Sequence, residues 1–242
     1  MNIAVIFAGG TGVRMNSLTK PKQFLELHGK AIIIYTLEVF EQHPSIDAIA
    51  VVCLNGWEEY LSQLIDKAGL HKVRWIVKGG ESGQLSIYNG LVAVYNDSHV
   101  PHDSVVLIHD GVRPLITQQL ITDNIKSVVE HGSSITVTPA VETVISINQT
   151  SGAVTDVLDR SICRMAKAPQ CFVLSNIMDA HERALREGKI DFIDSATLMR
   201  YYGQTVHTVV GPMENIKITT PMDYYLFRAI MDVKENSQIM GL

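Results

Sequence analysis

Short apolar runs rich in β-branched residues recur along the chain at Ile3–Ala8, Ala48–Cys53, Arg74–Val77, Val105–Ile108 and Ile135–Thr138. They lack the strict alternation of a half-exposed strand, so they predict strands covered on both faces. Between them, Trp57, Tyr60, Leu61, Leu64, Ile65 and Ala68 fall on one helical stripe, and Leu85, Tyr88, Val92 and Tyr95 on another. Repeated strand-then-helix order predicts an α/β domain with a doubly wound parallel sheet.

The pattern changes at Val141–Leu158. There Thr143–Asn148 and Val154–Leu158 alternate polar and apolar positions around Gln149-Thr150-Ser151-Gly152, which reads as a hairpin. Such a hairpin is either an arm that meets a second subunit or a surface decoration. After it the helical pattern resumes. Thr220-Pro221-Met222-Asp223 opens the last helix with a threonine cap, proline at the first position and an acid near the positive end of the dipole.

Composition narrows the classes. A chain of 242 residues with 46% hydrophobic content can bury one large core. Twenty Lys and Arg against 25 Asp and Glu give no reason to expect a nucleic-acid or anionic-membrane partner. Cys53, Cys163 and Cys171 are too few and too scattered for a disulfide framework or a paired metal site, which fits reduced thiols in the cytoplasm. The opening apolar run is too short for a signal-peptide core, and no run reaches membrane-spanning length. A soluble, cytoplasmic protein of one domain, residues 1–242, is expected.

The first strand runs into Ala8-Gly9-Gly10-Thr11-Gly12-Val13-Arg14-Met15, followed by Lys20-Pro21-Lys22-Gln23. Glycines at the mouth of an open sheet let backbone N–H groups approach a phosphate. The loop lacks the G-K-[ST] of a Walker A motif, and Met15 stands where a dinucleotide fingerprint needs its third glycine. In their place are cations suited to a triphosphate under attack, the chemistry of nucleotidyl transfer, where a protein mainly positions groups and neutralises charge. A tight turn beside solvated basic residues would produce the same letters one at a time; their combination after the first strand favours the phosphate site.

Four ordered motifs, G-G-T-G-V-R-M at 9–15, P-K-Q at Pro21–Gln23, H-D-G-V-R-P at His109–Pro114 and N-I-K-I-T at Asn215–Thr219, extend this reading. Together they resemble the 2-C-methyl-D-erythritol 4-phosphate and ribitol 5-phosphate cytidylyltransferases over nearly the whole chain. The resemblance implies a Rossmann-like, doubly wound, mostly parallel sheet of the nucleotidyltransferase type with a protruding β-arm, here at about 141–165, through which a homodimer forms. It implies Arg14, Lys22 and Lys217 as the catalytic cations at the α-phosphorus. Ala8, Gly9, Gly10 and Gly12, with Gly80, Glu81, Ser86 and Asp110, would bind the nucleotide. Gly79-Gly80-Glu81 and Ser86 would read the cytosine and ribose, as fixed backbone groups can. Gly83 stands where the family usually has an arginine.

Asp110, by the same resemblance, contacts either the metal or an acceptor hydroxyl, and Arg113 is either its salt-bridge partner or an anion contact. Thr143 and Arg160 match positions that reach across a dimer to the acceptor's phosphate, for which the planar fork of arginine is suited. The family's Thr-Pro-Gln is Ala168-Pro169-Gln170 here, which removes one acceptor-side hydroxyl, and Asp194 matches a family acid that a helix cap explains equally well. The implied reaction uses CTP and Mg²⁺ to place CMP on a small polyol phosphate. The stretches Phe24–Leu27 and Thr219–Asp223 look more like the ribitol 5-phosphate branch, with wall or capsule polymers as destination; the isoprenoid precursor 2-C-methyl-D-erythritol 4-phosphate is the alternative acceptor. A nucleotide-binding regulator without turnover is the rival of another class, and retention of Arg14, Lys22 and Lys217 argues against it.

Overall fold

A computed structural model describes residues 1–10, 15 and 20–240. The strands are β1 (Asn2–Ala8), β2 (Glu26–Leu27), β3 (Lys30–Ala31), β4 (Ala48–Cys53), β5 (Val73–Lys78), β6 (Val105–Asp110), β7 (Ser133–Pro139), β8 (Ile145–Ile147), β9 (Val154–Val157), β10 (Arg164–Val173) and β11 (Thr208–Val210). The helices are α1 (Ile32–Gln42), α2 (Glu58–Ala68), α3 (Gly83–Tyr95), α4 (Gln118–His131), α5 (Leu174–Arg186), α6 (Ser195–Tyr201) and α7 (Pro221–Met240).

Seven strands form the main sheet in the order β11-β7-β10-β6-β1-β4-β5. All neighbours in it pair in parallel except β10, which runs antiparallel to both β6 and β7. The five predicted strands are therefore present, each within two residues at either end. β10 is a correction, because a resumed helical pattern was expected there. Its first half is exposed and Pro169 interrupts its ladder at a register shift between Ala166 and Gln170, features that disguise a central strand.

The continuous apolar character of the central strands follows from cover on both faces. Ala4, Ile6 and Ala8 of β1, with Ile49, Val51 and Cys53 of β4, pack into the layer formed with α1, α2 and α4. Ile3, Val5, Ala48, Ala50 and Val52 point the other way, onto α3, α5 and α6. The stripe expected on α2 is the one that packs inward. On α3 the stripe needs correction: Gln84, Ile87, Leu91 and Val94 face the core, while Tyr88, Val92 and Tyr95 lie at its margin.

β8 and β9 pair antiparallel, Ile145 opposite Val157, as the hairpin outside the main sheet. All their residues are exposed. At the start of α7, Asp223 Oδ2 accepts from the backbone N–H groups of Thr219 and Thr220 at 2.9 and 2.7 Å, closing the helix entry around Pro221.

Candidate active site

Strands β1, β4, β5 and β6 all end at the same edge, and the chain winds outward from β1 in both directions, to β4 on one side and β6 on the other. The crevice at such a reversal is where open α/β sheets bind ligands. Ala8-Gly9-Gly10 leaves β1 there, Gly79-Gly80 leaves β5, and Asp110 ends β6.

The two glycine loops touch. A Cβ on Gly9 would come within 3.2 Å of the Ser86 hydroxyl, and one on Gly79 within 3.4 Å of the Gly9 Cα. Ser86 Oγ accepts from the backbone N–H of Gly80 at 3.0 Å, fixing the second loop on the first turn of α3. A side chain at Gly80 would run into Leu85, 2.6 Å from its Cβ and 2.8 Å from its carbonyl carbon, so this position is closed to anything larger. Ser82 caps α3 by accepting from Leu85 N–H at 3.1 Å. Glu81 stands exposed beside it. Buried Gln23 donates to the carbonyl of Ala8 at 2.7 Å and ties the first loop to the short turn Lys22–Phe24. That role is carried by the P-K-Q motif, although the sequence reading gave Gln23 none. Partial burial pushes the Asp223 carboxyl up, but hydrogen bonds from the Thr220 and Thr219 backbone and the Thr220 hydroxyl, with a smaller pull from the Lys22 charge, hold it below its ordinary range. Gly12 and Arg14 lie outside the described residues.

On the other side of the crevice three motifs converge. Asp110, 4% exposed, accepts from Lys217 Nζ at 2.5 Å on one oxygen and from Arg113 Nε at 2.7 Å on the other. Arg113 also donates to the carbonyl of Asn215 at 2.9 Å, and the Asn215 amide donates to the carbonyl of Ala168 at 2.7 Å. Arg113 thus pairs with Asp110, one of the two roles open to it. Burial alone would push the Asp110 carboxyl up, but the charges of Lys217 and Arg113 outweigh it and hold it at about 2. His109, fully buried behind it, is pushed down to about 4 by burial and is neutral near pH 7.

Asp110, Arg113 and Lys217 open onto a cavity of about 260 Å³ whose walls also include Gly83, Gln84, Lys167, Gln170, His181, Phe192, Asp194 and Ser195. Of these lining groups Lys167, Gln84, His181 and Ser195 had no place in the sequence reading. Lys167 donates to the Met213 carbonyl at 2.9 Å; partial burial and the nearby Arg113 charge hold it below the ordinary lysine range. A Cβ on Gly83 would meet nothing within 4 Å, so the departure from arginine leaves open space at the wall. Asp194 caps α6, accepting from Thr197 N–H at 2.7 Å, and also receives the Gln170 amide at 3.1 Å.

Thr143 and Arg160 are exposed on the arm and do not line this chain's own cavity; Arg160 donates to the carbonyl of Val141 at 2.8 Å. Among the described residues the one gathering of three metal-capable side chains is His28, Asp232 and Glu235, none of which lines the cavity. Asp110 offers a single carboxylate, with Lys217 and Arg113 already on its two oxygens. No helix among the described residues is long and apolar enough to cross a membrane.

The chain is similar to known proteins over its full length. It is 51% identical over 241 residues, all of both chains, to the ribitol-5-phosphate cytidylyltransferase of Vibrio parahaemolyticus. Against the 2-C-methyl-D-erythritol 4-phosphate cytidylyltransferase of Clostridium botulinum it is 38% identical over 231 residues, 96% of this chain and 97% of the other. The solved structure of 4-diphosphocytidyl-2C-methyl-D-erythritol synthase from Anaerococcus prevotii superposes with a TM-score of 0.82 at 27% identity, covering 96% of each chain. The family model IspD, 2-C-methyl-D-erythritol 4-phosphate cytidylyltransferase, matches residues 2–233, and the chain belongs to that family of CTP-dependent cytidylyltransferases.

Proposed function

We propose that this protein transfers CMP from CTP to D-ribitol 5-phosphate, giving CDP-ribitol and pyrophosphate. The observation that carries the choice of acceptor is the full-length identity of 51% to a relative of that name, against 38% to one named for 2-C-methyl-D-erythritol 4-phosphate. A phosphate oxygen of the acceptor attacks the α-phosphorus of CTP, the bond from that phosphorus to the bridging oxygen breaks, and pyrophosphate carries the electron pair away. The acceptor phosphate is already ionised near neutral pH, so no strong general base is required. Family likeness supports Arg14, Lys22 and Lys217 as the cations at the α-phosphorus, with Lys217 held over the crevice by Asp110. Asp110 then acts chiefly by orienting Lys217 and Arg113, which the two short contacts support.

Mg²⁺ fits this arrangement as a companion of the nucleotide, since magnesium takes one or two carboxylates and draws its remaining oxygens from phosphates and water. It would neutralise triphosphate charge, with Asp110 as the protein carboxylate within reach. Thr143 and Arg160 fit the acceptor phosphate of a second subunit in a homodimer. The exposed, apolar-rich arm and the absence of both residues from their own chain's cavity support that reading. Incubation with Mg²⁺ and each nucleoside triphosphate, with pyrophosphate release as readout, tests the reading. CTP with ribitol 5-phosphate should give the fastest release, and comparable turnover of a purine triphosphate would overturn the role of the Gly79-Gly80 loop.

A further inference from the structure

Two polar side chains in the cavity wall stand without partners. His181 on α5 is 1% exposed, and neither ring nitrogen has a hydrogen-bond partner among the described residues. Its ring stacks on Tyr88, with centroids 5.7 Å apart, which fixes the plane in which those nitrogens lie. Ser195, the first residue of α6, is 3% exposed and its hydroxyl is equally unpaired. Both line the cavity that Asp110, Arg113 and Lys217 open onto. An unsatisfied buried polar group costs about 1–3 kcal/mol, so two in one cavity wall call for an account.

Neighbouring polar groups sharpen the contrast. Gln84 donates to the Lys189 carbonyl at 2.9 Å and accepts from Phe192 N–H at 2.9 Å. Gln170 donates to Asp194 and accepts from Ala196 N–H at 2.8 Å. These side chains are spent on holding α3 to the segment between α5 and α6, and β10 to the start of α6. His181 and Ser195 therefore remain as the wall's unused hydrogen-bonding capacity, set deep, whereas the side chain of Lys217 at the rim is 40% exposed.

We propose that His181 and Ser195 receive the hydroxyls at the far end of the acceptor's polyol chain and so select its length. This rests on the functional reading above, in which the acceptor's phosphate stays at the rim cations and its carbon chain runs inward. A neutral imidazole offers one donor and one acceptor, and a hydroxyl offers the same, so each can meet a polyol hydroxyl that both donates and accepts. Burial keeps His181 neutral near pH 7, with no charged group to compensate it.

The test compares ribitol 5-phosphate with D-erythritol 4-phosphate, one carbinol shorter, as acceptors for the unaltered enzyme and for His181→Leu and Ser195→Ala. Each variant should lose about tenfold in kcat/KM for ribitol 5-phosphate, the value of one net hydrogen bond, mainly through KM. Turnover of the shorter acceptor and KM for CTP should stay within about twofold, a pattern that a folding defect would not produce. His181→Gln, which keeps a donor and an acceptor, should recover part of the loss. Equal losses on both acceptors, or no loss in either variant, overturn the inference while leaving the reaction intact. No turnover of ribitol 5-phosphate by the unaltered enzyme overturns the functional reading and this inference with it.

Discussion

Asp110, buried at the end of β6, holds two cations at the crevice. Lys217 can sit over the crevice only because Asp110 stays ionised beneath it, and the pair of cations on Asp110 keeps it so. Replacing Lys217 with Ala should lower kcat by about 10²–10³, the scale for losing one preorganised donor to transition-state charge, and a near-normal kcat would return it to the solvated face. The buried histidines set the acid limit of the fold. Burial depresses the folded values of His109 and His181 to about 4 against 6.5. The unfolded chain therefore binds protons first as pH falls, and stability drops from about pH 6.5 down to about 4, each histidine removing on the order of 3 kcal/mol by the lower end. Asp110 acts later: its contribution is complete above about pH 4 and is lost as pH falls towards 2. Urea midpoints between pH 7 and pH 4.5 should decline less steeply in His181→Leu, and an unchanged slope would contradict the assignment. Asp110 and Arg113 were legible because their motif follows the end of β6, and Lys217 because N-I-K-I-T carries a family resemblance. His181 was not, because a lone histidine on the apolar face of a helix has the spacing of any core residue.

At the scale of elements, two glycine loops lie close to each other and to the first turn of α3. Gly80 and Gly10 separate the steric requirement from composition. Gly80→Ala places a methyl group against Leu85 and the Ser86 N–H, where backbone must move, and should cost about 1–3 kcal/mol of stability and raise KM for CTP. Gly10→Ala meets nothing within 4 Å among the described residues and should fold with normal stability. Thermal melts of the two variants side by side check the contrast, and equal destabilisation would mean that the close approach at Gly80 is not what matters. β1 and β4 were readable from their apolar runs because cover on both faces favours apolar residues throughout, whereas β5 lies half-exposed at the sheet edge. β10 escaped because half of it is solvent-facing and Pro169 breaks its ladder. The core face of α3 was displaced for a related reason: its aromatic residues sit at the margin of the layer, while polar Gln84 and Ser86 are buried for the loops they hold.

On the scale of the whole molecule, the hairpin leaves Val141, Ile145, Ile147, Val154, Val157 and Ile162 exposed, Ile162 to 80%, on a two-stranded unit that is marginal by itself. Pairing of two arms would bury these side chains and carry Arg160 to a second subunit's cavity. A dimer in light scattering, and a several-fold higher KM for the polyol phosphate with unchanged KM for CTP in Arg160→Ala, are the expected outcomes; a monomer with full activity would contradict them. The arm's alternation was visible in the sequence, and the apolar side chains it leaves exposed are what the expected second subunit would cover. Competition between acceptors tests the proposed reaction most directly. The enzyme is given CTP and Mg²⁺ with equal concentrations of ribitol 5-phosphate and 2-C-methyl-D-erythritol 4-phosphate, and the initial rates of the two CDP-polyols are resolved by mass. CDP-ribitol should dominate by at least about tenfold, and dominance of the methylerythritol product, or formation of neither, would contradict ribitol 5-phosphate as the acceptor.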